Sequence, residues 1–200
     1  MEEIKRFMGF DNPNQERYET LSRGQNKDHL YAACSDRLEK NFNVTSVKEE
    51  LKKSIPRSTV VDLGAGPQSY GNVLYAARVL SARAYIGIDT ALPADSPIRE
   101  IDGIKEILVR DDMLLGLSRV NTESANITIN GIDWMWGGKY VEAIANEIER
   151  TVKPGGIVFG IGSEGFSQKI LPSRKCFERV ELTSDKEHIL SSDFFLFKKN

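Results

Sequence analysis

Thr59-Val60-Val61-Asp62-Leu63-Gly64-Ala65-Gly66-Pro67 is the stretch that decides the architecture. β-Branched and apolar residues flank one acid and read as a buried strand. Glycines at 64 and 66 then remove the Cβ atoms that would hold a ligand away from the turn. A ligand at the carboxyl end of this strand is the expectation. Close packing of a helix on a strand also selects glycine, so the turn alone leaves both readings open.

Working outward, Ala84-Tyr85-Ile86-Gly87-Ile88 repeats the strand character one crossover later, at the spacing that two parallel strands need. Glu106-Ile107-Leu108-Val109, Asn126-Ile127-Thr128-Ile129 and Gly156-Ile157-Val158-Phe159-Gly160-Ile161 supply a third, fourth and fifth strand. Val141, Ile144, Ala145 and Ile148 recur at helical spacing and give one apolar stripe to dock on a sheet, before Pro154-Gly155-Gly156 turns the chain. Phe177 to Leu182 and Asp193 to Lys198 read as a final antiparallel pair. Alternating strands and helices of this kind predict an α/β fold with a mostly parallel sheet and helices on both faces.

Residues 1–56 have a different texture, polar and without strand-like runs. Tyr31, Ala32, Ala33 and Leu38 give part of an apolar helix face, and Thr45 with Glu49 and Leu51 reads as a capped helix ending before Pro56. The expected division is an amino-terminal helical extension or lid over 1–56 and one α/β domain over 57–200.

Composition narrows the function classes. An apolar share of 40% and a charged share of 28% suffice for a core without disulfides or metals. A net charge of -2 offers no footprint for a long polyanion. Cys34 and Cys176 stand far apart, belong to no Cys-x-x-Cys pair or Cys/His cluster, and read as reduced thiols; no metal site is expected. Met1-Glu2-Glu3-Ile4-Lys5-Arg6 leads into no apolar signal region, and no apolar run approaches the roughly 18 residues of a membrane span, so a cytoplasmic protein is expected.

Two ligand classes compete for the Gly64 to Pro67 turn. A dinucleotide fingerprint starting at Gly64 needs its third glycine at 69, and Ser69 stands there. An adenosyl ligand without that pyrophosphate has no such need. Asp89 closes the second strand, and its two acceptor oxygens match the vicinal diol of a ribose. Dehydrogenases place an acid similarly, and a solvated strand-end Asp is the plain alternative, so Asp89 supports an adenosyl ligand without naming it.

From Val60 to Asn200 the chain resembles the class I S-adenosylmethionine-dependent methyltransferases. Val60-Val61-Asp62-Leu63-Gly64-Ala65-Gly66-Pro67 is similar to the family's first motif, and Tyr85-Ile86-Gly87-Ile88-Asp89 to its ribose-binding strand end. Arg110-Asp111-Asp112-Met113 looks like the adenine-side motif. Ala125 to Gly131 looks like the fourth-strand motif, and Val152-Lys153-Pro154-Gly155-Gly156 like the turn before the fifth strand. The resemblance implies a Rossmann-like, doubly wound, seven-stranded sheet in the order 3-2-1-4-5-7-6, with the last strand antiparallel, preceded by amino-terminal helices.

The same resemblance implies S-adenosyl-L-methionine as cofactor. It sets the methionine end against Asp62, Gly64, Ala65 and Gly66, the ribose on Asp89, and the adenine amino group on Asp112. Met113 is expected to offer its backbone N–H and its side chain to the base, with an ordinary core methionine as the competing reading. Asn130 stands where the reacting methyl would point, although Asn130-Gly131 is equally a plain turn signal. The chain departs from the family pattern at Gln68, where a third glycine is common, and at Asn126, where an acid often opens the motif.

Asn126 is therefore given no catalytic role, no catalytic residue is assigned, and neither His29 nor His188 lies near a motif. Trp134 and Trp136 read as pocket wall or packing, and Tyr18 and Arg23 as lid or solvated helix face. The expected activity is methyl transfer. A small-molecule acceptor is favoured because few residues remain for recognition, while nucleic acid and protein acceptors stay open and no membrane partner is expected. A noncatalytic adenosyl-binding module or scaffold of the same fold is the alternative.

Overall fold

The computed structural model describes residues 40–66, 80–90, 92, 98–101, 103–130, 138–162, 165–186, 190 and 194–200. Pro67, Gln68, Ser69, Gly131, Trp134, Trp136, Tyr18, Arg23, His29, Cys34 and His188 lie outside them.

A short helix, α1 (Thr45–Ser54), precedes the first strand. The strands are β1 (Thr59–Leu63), β2 (Ala84–Ile88), β3 (Arg99–Ile101), β4 (Ile104–Val109), β5 (Ala125–Asn130), β6 (Ile157–Ile161), β7 (Phe177–Arg179) and β8 (Phe194–Lys199). Helix α2 (Met113–Ser118) follows β4, and α3 (Gly138–Thr151) lies between β5 and β6. A helical stretch, Phe166–Ile170 continuing as Leu171–Ser173, precedes β7.

Among the described residues these strands form one eight-stranded sheet in the order β3-β4-β2-β1-β5-β6-β8-β7. β1 pairs in parallel with both β2 and β5, β2 with β4, and β5 with β6. β8 runs antiparallel between β6 and β7. The expected fold is thus present: an α/β sheet, parallel through its centre, with an antiparallel carboxyl-terminal strand.

Two details differ from the seven-stranded expectation. The eighth strand, β3, pairs antiparallel with β4 at the edge of the sheet, with Ile101 opposite Ile104. Three residues, two of them charged, are too few to show alternation. In addition β7 stops at Arg179 rather than Leu182. Val180 makes one more ladder bond, donating its N–H to Leu196 O at 2.9 Å, before the chain leaves the sheet toward α1.

Side-chain alternation builds one core on each face. Val61 and Leu63 of β1 join Ile127, Ile129, Phe195 and Phe197 beneath Val141, Ile144, Ala145 and Ile148 of α3, the stripe expected from the sequence. Val60 points the other way, with Tyr85, Ile157, Phe159 and Leu196, and meets Val44, Val47, Leu51 and Ile55 from α1 and its flanks. All five residues of β1 and of β6 are buried, which is why both read as continuous apolar runs. The expected boundary at 57 falls between α1 and β1, two elements that share this second core.

Helix α1 occupies the expected position, with a cap of a different origin. Its N-cap residue is Val44, which has no capping side chain. The Thr45 N–H and hydroxyl both donate to Asp185 Oδ2 at 2.8 Å, and the Ser46 hydroxyl donates to Thr183 O at 2.8 Å. An acid 140 residues away thus satisfies an orphan amide and adds negative charge at the helix start. No described helix is long and apolar enough to cross a membrane.

Candidate functional site

The order of strands reverses at β1, which has β2 on one side and β5 on the other. In open α/β sheets the crevice outside the carboxyl ends of the strands at such a switch point is where ligands bind. Gly64 to Gly66 leave β1 at that point, Asp89 leaves β2, Asp112 and Met113 follow β4, and Asn130 ends β5. The sequence-predicted site residues therefore gather along one edge of the sheet.

The turn after β1 is fixed by its neighbour. Gly64 and Gly66 have φ of 77° and 52°, a region costly for any residue with a Cβ. Gly64 N–H donates to Ile88 O at 3.0 Å and Ala65 N–H to the same carbonyl at 3.3 Å, so the β1–β2 ladder continues into the turn. The next amide, of Gly66, donates to Asp89 Oδ2 at 3.0 Å. Ala65 is buried against Gly87, where an added Cβ would lie 3.2 Å from the Ala65 methyl.

Asp62 and Asp89 are both buried acids, placed differently. Asp62 has no exposure, and its Oδ2 accepts the Tyr85 hydroxyl at 2.7 Å within the α1-side core. It stands behind the turn. Asp89, 9% exposed, follows the carboxyl end of β2, with its N–H bonded to Val109 O at 3.1 Å. Its Oδ2 accepts the Gly66 amide.

At the end of β4 the Asp112 side chain caps α2, accepting the Leu114 N–H on Oδ1 at 2.9 Å, and its Oδ2 accepts the Tyr140 hydroxyl. Its own N–H donates to Asp111 Oδ1 at 2.9 Å, and Asp111 pairs with Arg119 at 2.8 Å. The Met113 side chain is buried in the α3-side core, as the ordinary-core reading had it, while its N–H belongs to the first turn of α2. Asn130 ends β5 opposite Ile161, and its backbone is what the structure describes.

Tyr85 and Tyr140 are the partners that sequence reasoning missed. Tyr85 sits inside the quoted second strand with nothing to mark its hydroxyl as bonded to Asp62. Tyr140 lies one turn before Ile144 on the apolar stripe of α3 and reads as one more core residue.

Asn126 is fully buried at the opposite, amino-terminal end of β5. Its Nδ2 donates to Ser54 O at 2.9 Å and Ser58 Oγ at 2.7 Å, and its Oδ1 accepts the Ile157 N–H at 2.9 Å. It bolts α1, β1, β5 and β6 together. Lys153 donates to the same Ser54 carbonyl at 3.0 Å, and burial pulls its ammonium pKa down. Cys176 is a free thiol away from this edge; burial first, and then Glu149, pushes its pKa up. Among the described residues no group of three or more His, Cys, Asp or Glu side chains is arranged to hold a metal.

The class defined by this fold and edge is that of doubly wound α/β proteins with a glycine turn and a strand-end acid at the switch point. No protein-family profile matches the sequence, and no curated protein matches it. Solved structures do share its fold. A proposed methyltransferase from Streptococcus mutans, in complex with SAH, matches at 11% identity over 83% of this chain and 97% of its own, with a TM-score of 0.51. A proposed S-adenosyl-L-methionine-dependent methyltransferase from Methanococcus maripaludis matches at 15% identity over 94% and 92%, TM-score 0.51. MNMC2 from Aquifex aeolicus matches at 13% identity over 82% of this chain and 60% of its own, TM-score 0.57. The fold is that of the S-adenosylmethionine-dependent methyltransferases.

Proposed function

We propose that this chain is an S-adenosylmethionine-dependent methyltransferase. The observation that carries the reading is the Gly64–Gly66 turn pinned to Asp89 at the switch point. Two glycines at positive φ leave no Cβ on the turn at those positions, and the acid beside them suits a ribose diol. The residues present thus fit an adenosyl ligand.

When bound, the cofactor supplies a methyl group already activated on a sulfonium. What remains for the protein is to bind, orient and exclude water, which is proximity catalysis. In this reading the methionine end lies against the turn from Gly64 to Gly66, where the two glycines carry no Cβ. Asp62, buried and bonded to Tyr85, acts as a positioning residue behind them. Asp89 takes the ribose hydroxyls, Asp112 the adenine amino group and the Met113 N–H a ring nitrogen. Asn130 closes the site at β5, on the side of the acceptor.

The net charge of -2 favours a compact acceptor over a long polyanion. Calorimetric titration tests the cofactor: S-adenosylmethionine is expected to bind and NAD to give no heat of binding. Asp89→Ala is expected to weaken S-adenosylmethionine about 10- to 100-fold, the scale of losing hydrogen bonds to a charged group. Equal binding by the variant, or a preference for NAD, sinks the assignment. Labelled cofactor incubated with a cell extract and followed by mass spectrometry then gives the size of the methylated product. Tight cofactor binding with transfer to no acceptor would turn the reading to a noncatalytic adenosyl-binding module.

A further inference from the structure

Tyr140 belongs to none of the motifs, yet it touches the acid at the base end of the site. It is 8% exposed in the first turn of α3, and its hydroxyl donates to Asp112 Oδ2. From the other side the Leu114 amide donates to Oδ1 at 2.9 Å. Below, the Asp112 amide is tied to Asp111, which is itself paired with Arg119. The carboxylate is clamped at both oxygens and at its backbone, so the direction of its remaining lone pairs is set by the fold.

An ionised carboxylate only accepts hydrogen bonds. Held in one orientation beside a purine edge, it meets a 6-amino group with an acceptor and a 6-oxo group with a repulsion. Sites built to bond an N–H reject the analogue that lacks it more strongly than apolar pockets reject a change in size. We propose that Tyr140 is the positioning residue that holds Asp112 in this pose and so sets the preference of the site for a 6-aminopurine ligand over a 6-oxopurine one. The inference rests on the adenosyl reading given above.

The test is calorimetry of S-adenosylhomocysteine and S-inosylhomocysteine, the same ligand with oxygen in place of the 6-amino group. Both are titrated into the parent, Tyr140→Phe, Asp112→Asn and the double variant, with thermal unfolding followed alongside. Phenylalanine fills the same buried volume and leaves the Asp112 cap on Leu114 intact, and asparagine is itself a good cap, so the fold is kept in each. Tyr140→Phe is expected to weaken the adenosyl ligand about 5- to 15-fold, the low end of the scale of a hydrogen bond because Tyr140 acts through Asp112, and the inosyl ligand less than about twofold. The double variant is expected to lose no more of the preference than Asp112→Asn alone, because the two residues act as one unit.

Equal weakening of both ligands by Tyr140→Phe would make Tyr140 ordinary packing and overturn the proposal. So would an unchanged preference. A parent that binds neither ligand overturns the adenosyl reading and this inference together, whereas a parent that binds with a Tyr140-independent preference overturns the inference alone.

Discussion

Asn126 shows how one residue can read as a departure from a motif and be required by the packing. The resemblance expects an acid there, but the side chain must donate to Ser54 O and Ser58 Oγ while accepting from Ile157, which an amide can do and a carboxylate cannot. In Asn126→Asp an anionic oxygen would face the Ser54 carbonyl at a fully buried position, with the Lys153 ammonium on the same carbonyl as an offset. We expect a loss of about 2–4 kcal/mol at neutral pH, measured by denaturant unfolding, since a buried unpaired charge is involved. Burial would raise the new carboxyl's pKa above its unfolded value. The deficit relative to the parent should then be full above the folded pKa and shrink as pH falls through it, because a protonated oxygen can donate to Ser54 O. A constant deficit across that range would mean that lost packing, not charge, is responsible.

At the scale of elements, the sheet is held together where strands and helices approach too closely for a side chain. A Cβ on Gly160 of β6 would lie 2.0 Å from Ile129 O of the paired strand β5, and backbone in the middle of a sheet cannot step aside. A Cβ on Gly116 of α2 would lie 2.4 Å from Ile88 Cγ2, a side chain that can turn at a cost. Gly160→Ala is therefore expected to abolish cooperative unfolding, and Gly116→Ala to cost about 1–3 kcal/mol, the usual range for overpacking. Chemical denaturation of the two variants orders them; a Gly160 variant as stable as the parent would refute the close approach. These contacts also mark what could be read in advance. Buried strands β1, β2 and β6 and the apolar stripe of α3 were legible because burial imposes a chemical pattern along a continuous segment. β3 was not, because three residues carry no period, and the remote cap of α1 by Asp185 was not, because contact across 140 residues leaves no local trace. The same holds for the site: its glycines and acids follow local geometry and could be quoted, whereas Tyr85 and Tyr140 act through hydroxyls that look from the sequence like core aromatics.

At the scale of the whole molecule, the described residues form two cores, and the one on the Tyr85 side includes α1. Val44, Val47, Leu51 and Ile55 are each at most 1% exposed and lie over Val60, Ile157 and Phe159. Asn126 and Lys153 reach across to Ser54 at the end of the helix, and Asp185 and Thr183 hold its start. Residues from both halves of the chain thus close around one short helix. Burying four such side chains contributes about 6–12 kcal/mol at about 1.5–3 kcal/mol each, comparable with the ~5–15 kcal/mol that separates folded from unfolded domains. A chain beginning at residue 57 would retain every residue of the sheet and of the candidate site, yet expose the apolar face that carries Val60, Ile157 and Phe159. We expect that fragment to lack a cooperative thermal transition and to bind no S-adenosylmethionine, although each residue assigned to the cofactor is present. Circular dichroism melting and calorimetry on the 57–200 fragment check this directly; a sharp transition near that of the full chain would show that α1 covers a core able to stand without it. In that event the Asp185, Asn126 and Lys153 contacts would stabilise the helix on the sheet, not the sheet through the helix.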